Sequence, residues 1–291
     1  MKKQAALIMA HNQFSILKKL MLMLDHEQMD IYIHVDKKSK SFHQSDFEQI
    51  CQHSRVVFVP RISVHWGHSS QVDCELLLLK AALDSGEDYS YLHLLSGVDL
   101  QIKHTDEILD FFENHPNQQF IALRNTFSGV RGLSRYYFFG SVRSYNRYIA
   151  KALDLTSLYI QKLLKTNRLK NVDFSLCKSQ QWFSITKECA EYVLSQEEFI
   201  HNLVRFTSCS DEMFLGTVIV NSKFRNQIYE PFRSPGGHMR LIDRDRNEGA
   251  SPHTWTMDDW DTIRSCPYFW ARKFDETRDP KIIEKVFETW R

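Results

Sequence analysis

The chain has 291 residues, with 37 Lys and Arg against 36 Asp and Glu. That length supports a substantial core in one large domain or two small ones, and the near-neutral charge excludes general nucleic-acid binding through a basic surface. Six scattered cysteines without a C-x-x-C pair exclude a disulfide framework or a cysteine zinc site and suit a reducing compartment.

The N-terminal apolar run ending at His11 is too short for a signal-peptide core, and no later stretch spans a bilayer, so cytoplasmic residence is expected. Residues 5–10 read as a buried strand, 14–24 as a helix (Ile16, Leu17, Leu20, Leu24) and 29–35 as a second strand that ends in the polar loop at Asp36. A helix is expected through Phe47 and Ile50, then a third strand over 55–59 stopped by Pro60. Ser69 and Ser70 cap a long helix through Leu76, Leu79 and Leu83. A fourth strand covers 89–95, a helix 105–112 starts at Thr105 in a capping-box-like way, and a fifth strand covers 119–123. Beyond residue 124 periodicity weakens: residues 125–147 are rich in Gly, Ser, Tyr and Arg. Helices are expected at 150–164, 189–194 and 211–220, a strand at 182–185, and loop from Pro231 onward.

Strands alternating with helices predict an α/β domain with a mainly parallel sheet covered by helices on both faces. Such sheets bind ligands beyond the carboxyl ends of their strands. His11, Asp36 and the turn Ser96-Gly97-Val98-Asp99 all fall there. No Gly-x-Gly-x-x-Gly or Walker A loop is present, so the usual dinucleotide and phosphate signatures are missing. Asp36 is placed to accept hydrogen bonds from a base or ribose, or to pair with Lys37 or Lys38. Trp66 beside Gly67 reads as an aromatic wall. The flanking His65 and His68 lack a third ligand for a metal.

Near the end, Arg272 and Lys273 lie in the apolar run Tyr268-Phe269-Trp270-Ala271, where burying cations needs anions nearby. A phosphate-rich ligand or acids of the fold meet that need. Arg240, Arg244 and Arg246 form a second basic cluster. Asp211 and Glu212 open a predicted helix. Capping accounts for Asp211 or Ser210, and Glu212 is the candidate general base.

Seven segments taken together resemble the family of core-2/I-branching β-1,6-N-acetylglucosaminyltransferases and peptide O-xylosyltransferases. They are Ile33-His34-Val35-Asp36-Lys37-Lys38-Ser39, Val64-His65-Trp66-Gly67, Leu94-Leu95-Ser96-Gly97-Val98-Asp99, Ser179-Gln180-Gln181-Trp182-Phe183, Ser210-Asp211-Glu212, Arg240-Leu241-Ile242-Asp243 and Phe269-Trp270-Ala271-Arg272-Lys273-Phe274. The resemblance implies a GT-A-like single domain, with a nucleotide-binding half over 1–124 and an acceptor- and diphosphate-binding half over 125–291. It implies an inverting, metal-independent transferase that moves a sugar, GlcNAc favoured, from UDP to a saccharide hydroxyl. Glu212 matches the catalytic base. His11, Val35, Asp36, Trp66, Asp99, Arg240, Arg246, Arg272 and Lys273 fall in the donor region, and Trp182 and Asp211 on the acceptor side. Arg244 stands where the family has Trp, His68 where it has Gly, and Leu100-Gln101 replace a Pro.

The animal members' anchor and disulfides are missing, so a bacterial cytoplasmic enzyme of polysaccharide assembly is expected. A saccharide or lipid-linked saccharide is then the expected acceptor, with membrane contact at most peripheral. The competing reading is a non-catalytic carbohydrate- or nucleotide-binding protein on the same scaffold. A nucleic-acid role for the Tyr/Arg-rich segment 131–147 fits neither the charge nor any motif.

Overall fold

Strand β1 (Gln4–Ala10) sends Ala6, Ile8 and Ala10 to one side and Ala5 and Leu7 to the other, and both sides are buried. A strand buried on two faces has to sit inside a sheet with helices above and below. The computed structural model describes residues 2–124, 134–139, 146–170, 172–230, 237–249 and 251–291. Most of the Tyr/Arg-rich segment 131–147 and of the Gly/Pro-rich stretch 234–237 lies outside the described residues.

The central sheet has six strands in the order β3-β2-β1-β4-β7-β6. Besides β1 these are β2 (Met29–Val35), β3 (Val56–Phe58), β4 (Tyr91–Ser96), β6 (Phe120–Arg124) and β7 (Lys178–Thr186). The β3–β2–β1–β4 pairings are parallel, and β7 runs antiparallel to both β4 and β6. Because β7 inserts between β4 and β6, a boundary at residue 124 does not divide the sheet. Helices α1 (Phe14–Leu24), α3 (Thr105–Glu113) and α9 (Pro280–Trp290) pack on one face. Helices α2 (Ser70–Leu83), α5 (Lys187–Ser195), α6 (Glu197–Val204) and α7 (Phe214–Val220) cover the other.

A second sheet, β5 (Leu100–Gln101)–β9 (Trp270–Arg272)–β8 (Arg240–Ile242), brings the end of the chain back beside β4. This stretch was expected to be loop. Strands of two or three residues show no alternation that a sequence pattern can register. Helix α8 (Trp260–Ser265) follows β8, and α9 begins with Asp279 accepting from the N–H groups of Lys281 and Ile282, with Pro280 in the first turn.

Three other expectations change. Phe47 belongs to no α-helix: a short 3-10 turn (Gln44–Asp46) delivers it to an aromatic cluster with Phe14, Phe42 and Phe58. Helix α3 is capped by His104 with Glu107, while the Thr105 hydroxyl turns inward to the Met23 carbonyl (2.8 Å). The expected helix 211–220 is split into a 3-10 turn (Ser210–Glu212) and α7, so neither Ser210 nor Asp211 caps an α-helix. Helix α4 (Arg147–Leu163) lies apart from the two main cores.

Candidate active site

The strand order reverses between β1 and β4, the point at which an open α/β sheet leaves a crevice beyond its strand ends. A cleft of about 570 Å³ occupies this position. His11 follows β1, His34 and Asp36 come from the end of β2, Ser96 ends β4, Gln181 and Trp182 project from β7, and Arg272 and Lys273 close β9. Asp211, Glu212 and Arg244 complete the lining used below.

Glu212 lies on the 3-10 turn that follows Cys209, whose backbone adopts φ +54°, an uncommon conformation for a residue with a Cβ. The Cys209 N–H donates to the Gly67 carbonyl (2.9 Å) and ties this turn to the Trp66 loop. Lys178, at the start of β7, holds Glu212 Oε2 at 2.6 Å. Behind Glu212, Asp211 is buried; burial and then the charge of Glu212 push its carboxyl up to about 7. Deeper still, Glu75 is fully buried and accepts from Gln181 Nε2 (3.0 Å). Burial, reinforced by Asp211, pushes its carboxyl well above the ordinary range. Three acids thus lead from the core to the cleft, and only the outermost has a cationic partner within ion-pair distance among the described residues.

The cations form the facing wall. Arg272 donates Nη1 to Asp99 Oδ1 (2.7 Å) and lies over the Trp182 ring at 4.3 Å. Asp99 also accepts from the Ser96 N–H (2.8 Å). Burial pushes its carboxyl up, against the opposing pull of Arg272. An Arg carries five N–H donors in a planar fork, so one contact to Asp99 leaves others for an anion. Lys273 and the half-buried Arg244 also face the cleft, and burial lowers the Arg244 guanidinium. Gly97 is sterically required: a Cβ there would come within 2.8 Å of the Ala10 Cβ.

The structure brings His11, Asp36, Trp66, Trp182, Asp211, Glu212, Arg272 and Lys273 into this cleft. Asp99 lies behind it and acts through Arg272. Three expected donor-site residues are elsewhere. Arg240 is a core residue: it donates to Ser184 Oγ (2.9 Å) and to the carbonyls of Leu94 (3.2 Å), Phe183 (2.6 Å) and His238, and lies over Trp270. Burial pulls its guanidinium down to about 9. Arg246 is consumed by Asp243 (2.6 Å) and Asp259 (2.7 Å) at the surface. The Val35 side chain packs in the core, because strand alternation gives the cleft its neighbours His34 and Asp36.

Asp36 pairs with Lys38 through both side chain (3.1 Å) and backbone N–H (2.9 Å). Trp182 is buried with Arg272 on its ring, so the open aromatic surface at the rim is Trp66, 61% exposed. His68 Nδ1 accepts from the Ser70 N–H (3.1 Å), and among the described residues no three His, Cys, Asp or Glu side chains group to hold a metal ion.

Lys178, Arg244 and Glu75 enter the site without having been singled out as ligands. Glu75 had a visible signal: it occupies the buried stripe Val72, Glu75, Leu76, Leu79 of α2, where an acid is out of place. Arg244 stood in the basic cluster, but nothing local separated it from Arg240 and Arg246.

The model of the Core-2/I-branching enzyme family matches residues 5–267. Xylosyltransferase 2 of Canis lupus familiaris is 24% identical over 287 residues, covering 92% of this chain and 31% of that protein. Xylosyltransferase 1 of Homo sapiens is 22% identical over 295 residues, covering 93% of this chain and 28% of that protein. The chain therefore spans under a third of the length of these two relatives. Among solved structures, mouse xyloside xylosyltransferase 1 in its apo form aligns with a TM-score of 0.41 at 10% identity, over 93% of this chain and 97% of that one. The apo-form glycosyltransferase GlyE of Streptococcus pneumoniae TIGR4 also gives 0.41 at 10% identity, over 99% and 60%. With its family model matched over most of its length, the chain belongs to the Core-2/I-branching enzyme family.

Proposed function

We propose that this chain is an inverting glycosyltransferase that moves a sugar from UDP to a hydroxyl of a saccharide acceptor, with Glu212 as general base and no metal ion. One observation carries the reading: a carboxylate and three cations, Glu212 against Arg244, Arg272 and Lys273, line the same cleft. The cations supply charge for a diphosphate leaving group, and the carboxylate takes the proton of the attacking hydroxyl as the new bond forms. Lys178 fixes one oxygen of that carboxylate. Metal independence draws support from Gly97 and Asp99. A paired-acid motif would need a carboxylate at 97, where even a Cβ collides with Ala10, and Asp99 is already engaged by Arg272 and Ser96.

UDP-GlcNAc is the donor expected from the sequence, and UDP-xylose is its competitor because the matched relatives are named xylosyltransferases. Acceptor-dependent UDP release across a panel of UDP-sugars, with and without EDTA, tests the assignment. Glu212→Gln is expected to lower turnover ~10²–10⁴-fold while UDP binding persists. A product that keeps the donor's anomeric configuration, activity that returns only with a divalent ion, or undiminished Glu212→Gln turnover would each overturn its part of the mechanism. UDP binding with no release under any acceptor identifies a non-catalytic binding protein instead.

A further inference from the structure

Helix α4 is built inside out. Among the described side chains its buried residues are Ala150, Asp154 and Gln161, which share one stripe at helical spacing. Gln161 fastens that stripe, donating to the Tyr136 carbonyl (2.9 Å) and accepting from the Tyr136 N–H (2.8 Å). The other face presents Ile149, Leu155, Tyr159, Ile160, Leu163 and, at the cap, Leu164. Tyr159, Leu163 and Leu164 are 64%, 65% and 72% exposed. A surface helix normally turns its apolar stripe inward, and a contiguous apolar face turned outward marks an interaction surface.

Charge identifies what covers this face. Lys151, Lys162, Lys165 and Lys170 are exposed on α4 and the segment after it, whereas the acid within the helix, Asp154, is buried. Lys151 and Lys162 are three turns apart and so line one edge of the apolar face. An apolar face edged by lysines suits the boundary between acyl chains and anionic headgroups, with the lysine stems along the apolar surface and the ammonium groups in the headgroup layer. An antiparallel twofold pairing of two copies through this face would instead set the two lysine edges against each other. Among the described residues no helix is long and apolar enough to cross a membrane.

We propose that α4 seats this protein on a bilayer surface bearing anionic headgroups, with the helix, about 26 Å long, lying flat in the interface. Beyond the helix, Arg168 donates Nη1 to Thr207 Oγ1 (3.1 Å), four residues before Asp211, so the seat is tied to the segment that leads into the acids of the cleft. The proposal stands apart from the reading of the cleft, since its test measures no turnover.

The test is flotation of the whole protein with vesicles of phosphatidylcholine alone or mixed with phosphatidylglycerol. Binding is expected with phosphatidylglycerol and is expected to weaken in high salt. Tyr159→Glu with Leu163→Glu is expected to lower it at least ~10-fold. Lys151→Glu with Lys162→Glu is expected to lower it roughly fivefold per lysine. All four positions are exposed, and unchanged circular dichroism and melting confirm that the variants fold. Failure to float with either vesicle, or flotation indifferent to both double substitutions, overturns the proposal. A dimer in sedimentation that Tyr159→Glu with Leu163→Glu disperses, without vesicle binding, overturns it in favour of a second copy.

Discussion

Between Glu75 and Glu212, the Asp211 carboxyl has acids for neighbours and little water, and it is neutral up to about 7. Its ordinary value is 3.8, so between that and about 7 the folded chain holds a proton that the unfolded chain has lost. Stability from this group is full below the lower value and falls as pH rises through the upper one. Asp211→Asn is expected to flatten that dependence and to raise stability at about pH 8 by ~1–3 kcal/mol, with little change at about pH 4, as urea unfolding at the two pH values would show. A variant whose stability advantage is the same at both would place the cost elsewhere. Lys273 offers the complementary test. Lys273→Ala is expected to weaken UDP about 10- to 100-fold and uridine hardly at all, because only the diphosphate feels the charge. Titration of both ligands distinguishes this from a structural role, which would weaken both alike. Residue types and order put both positions among the candidates. The burial of Asp211 was not legible, because it comes from packing of its turn against helix α2, whose Glu75 lies 136 positions earlier in the chain.

At the scale of elements, the small sheet β5–β9–β8 presents Arg272 to the cleft, and Arg240 pins that sheet to β4 and β7. Arg240→Ala would remove donors from buried carbonyls and leave a void beside Trp270. A loss of at least ~3 kcal/mol is expected, seen as a lowered melting temperature with or without UDP. An unchanged melting temperature with impaired UDP binding would return Arg240 to the ligand site. The contrast with Arg246 shows where local reading stops. Both belong to one basic cluster, yet one enters a three-residue strand and the other meets Asp259 across a loop. Strands β1 and β2 and helix α1 were legible because their apolar runs are long and regular. Strands β8 and β9 were not, since their partners rather than their own patterns define them. Phe47 misled in the opposite direction, since its helical spacing serves an aromatic cluster.

Across the whole molecule, the cleft draws on residues from Met9 to Asp275, and its wall of cations is delivered by a segment that returns after the main sheet is complete in sequence. The contact between Arg272 and Asp99 joins positions 173 residues apart. Chains leave the ribosome in sequence order, and folding follows that order where contacts allow. During synthesis, Asp99 and the face of Trp182 therefore wait for a partner that has not yet been made. A nascent chain holding β1, β2, β4 and β7 has the Glu212 turn within reach but lacks both Arg272 and Lys273. Two of the three cations that face Glu212 thus arrive late in translation, and a chain stalled before Trp270 carries Glu212 and Arg244 without Arg272 and Lys273.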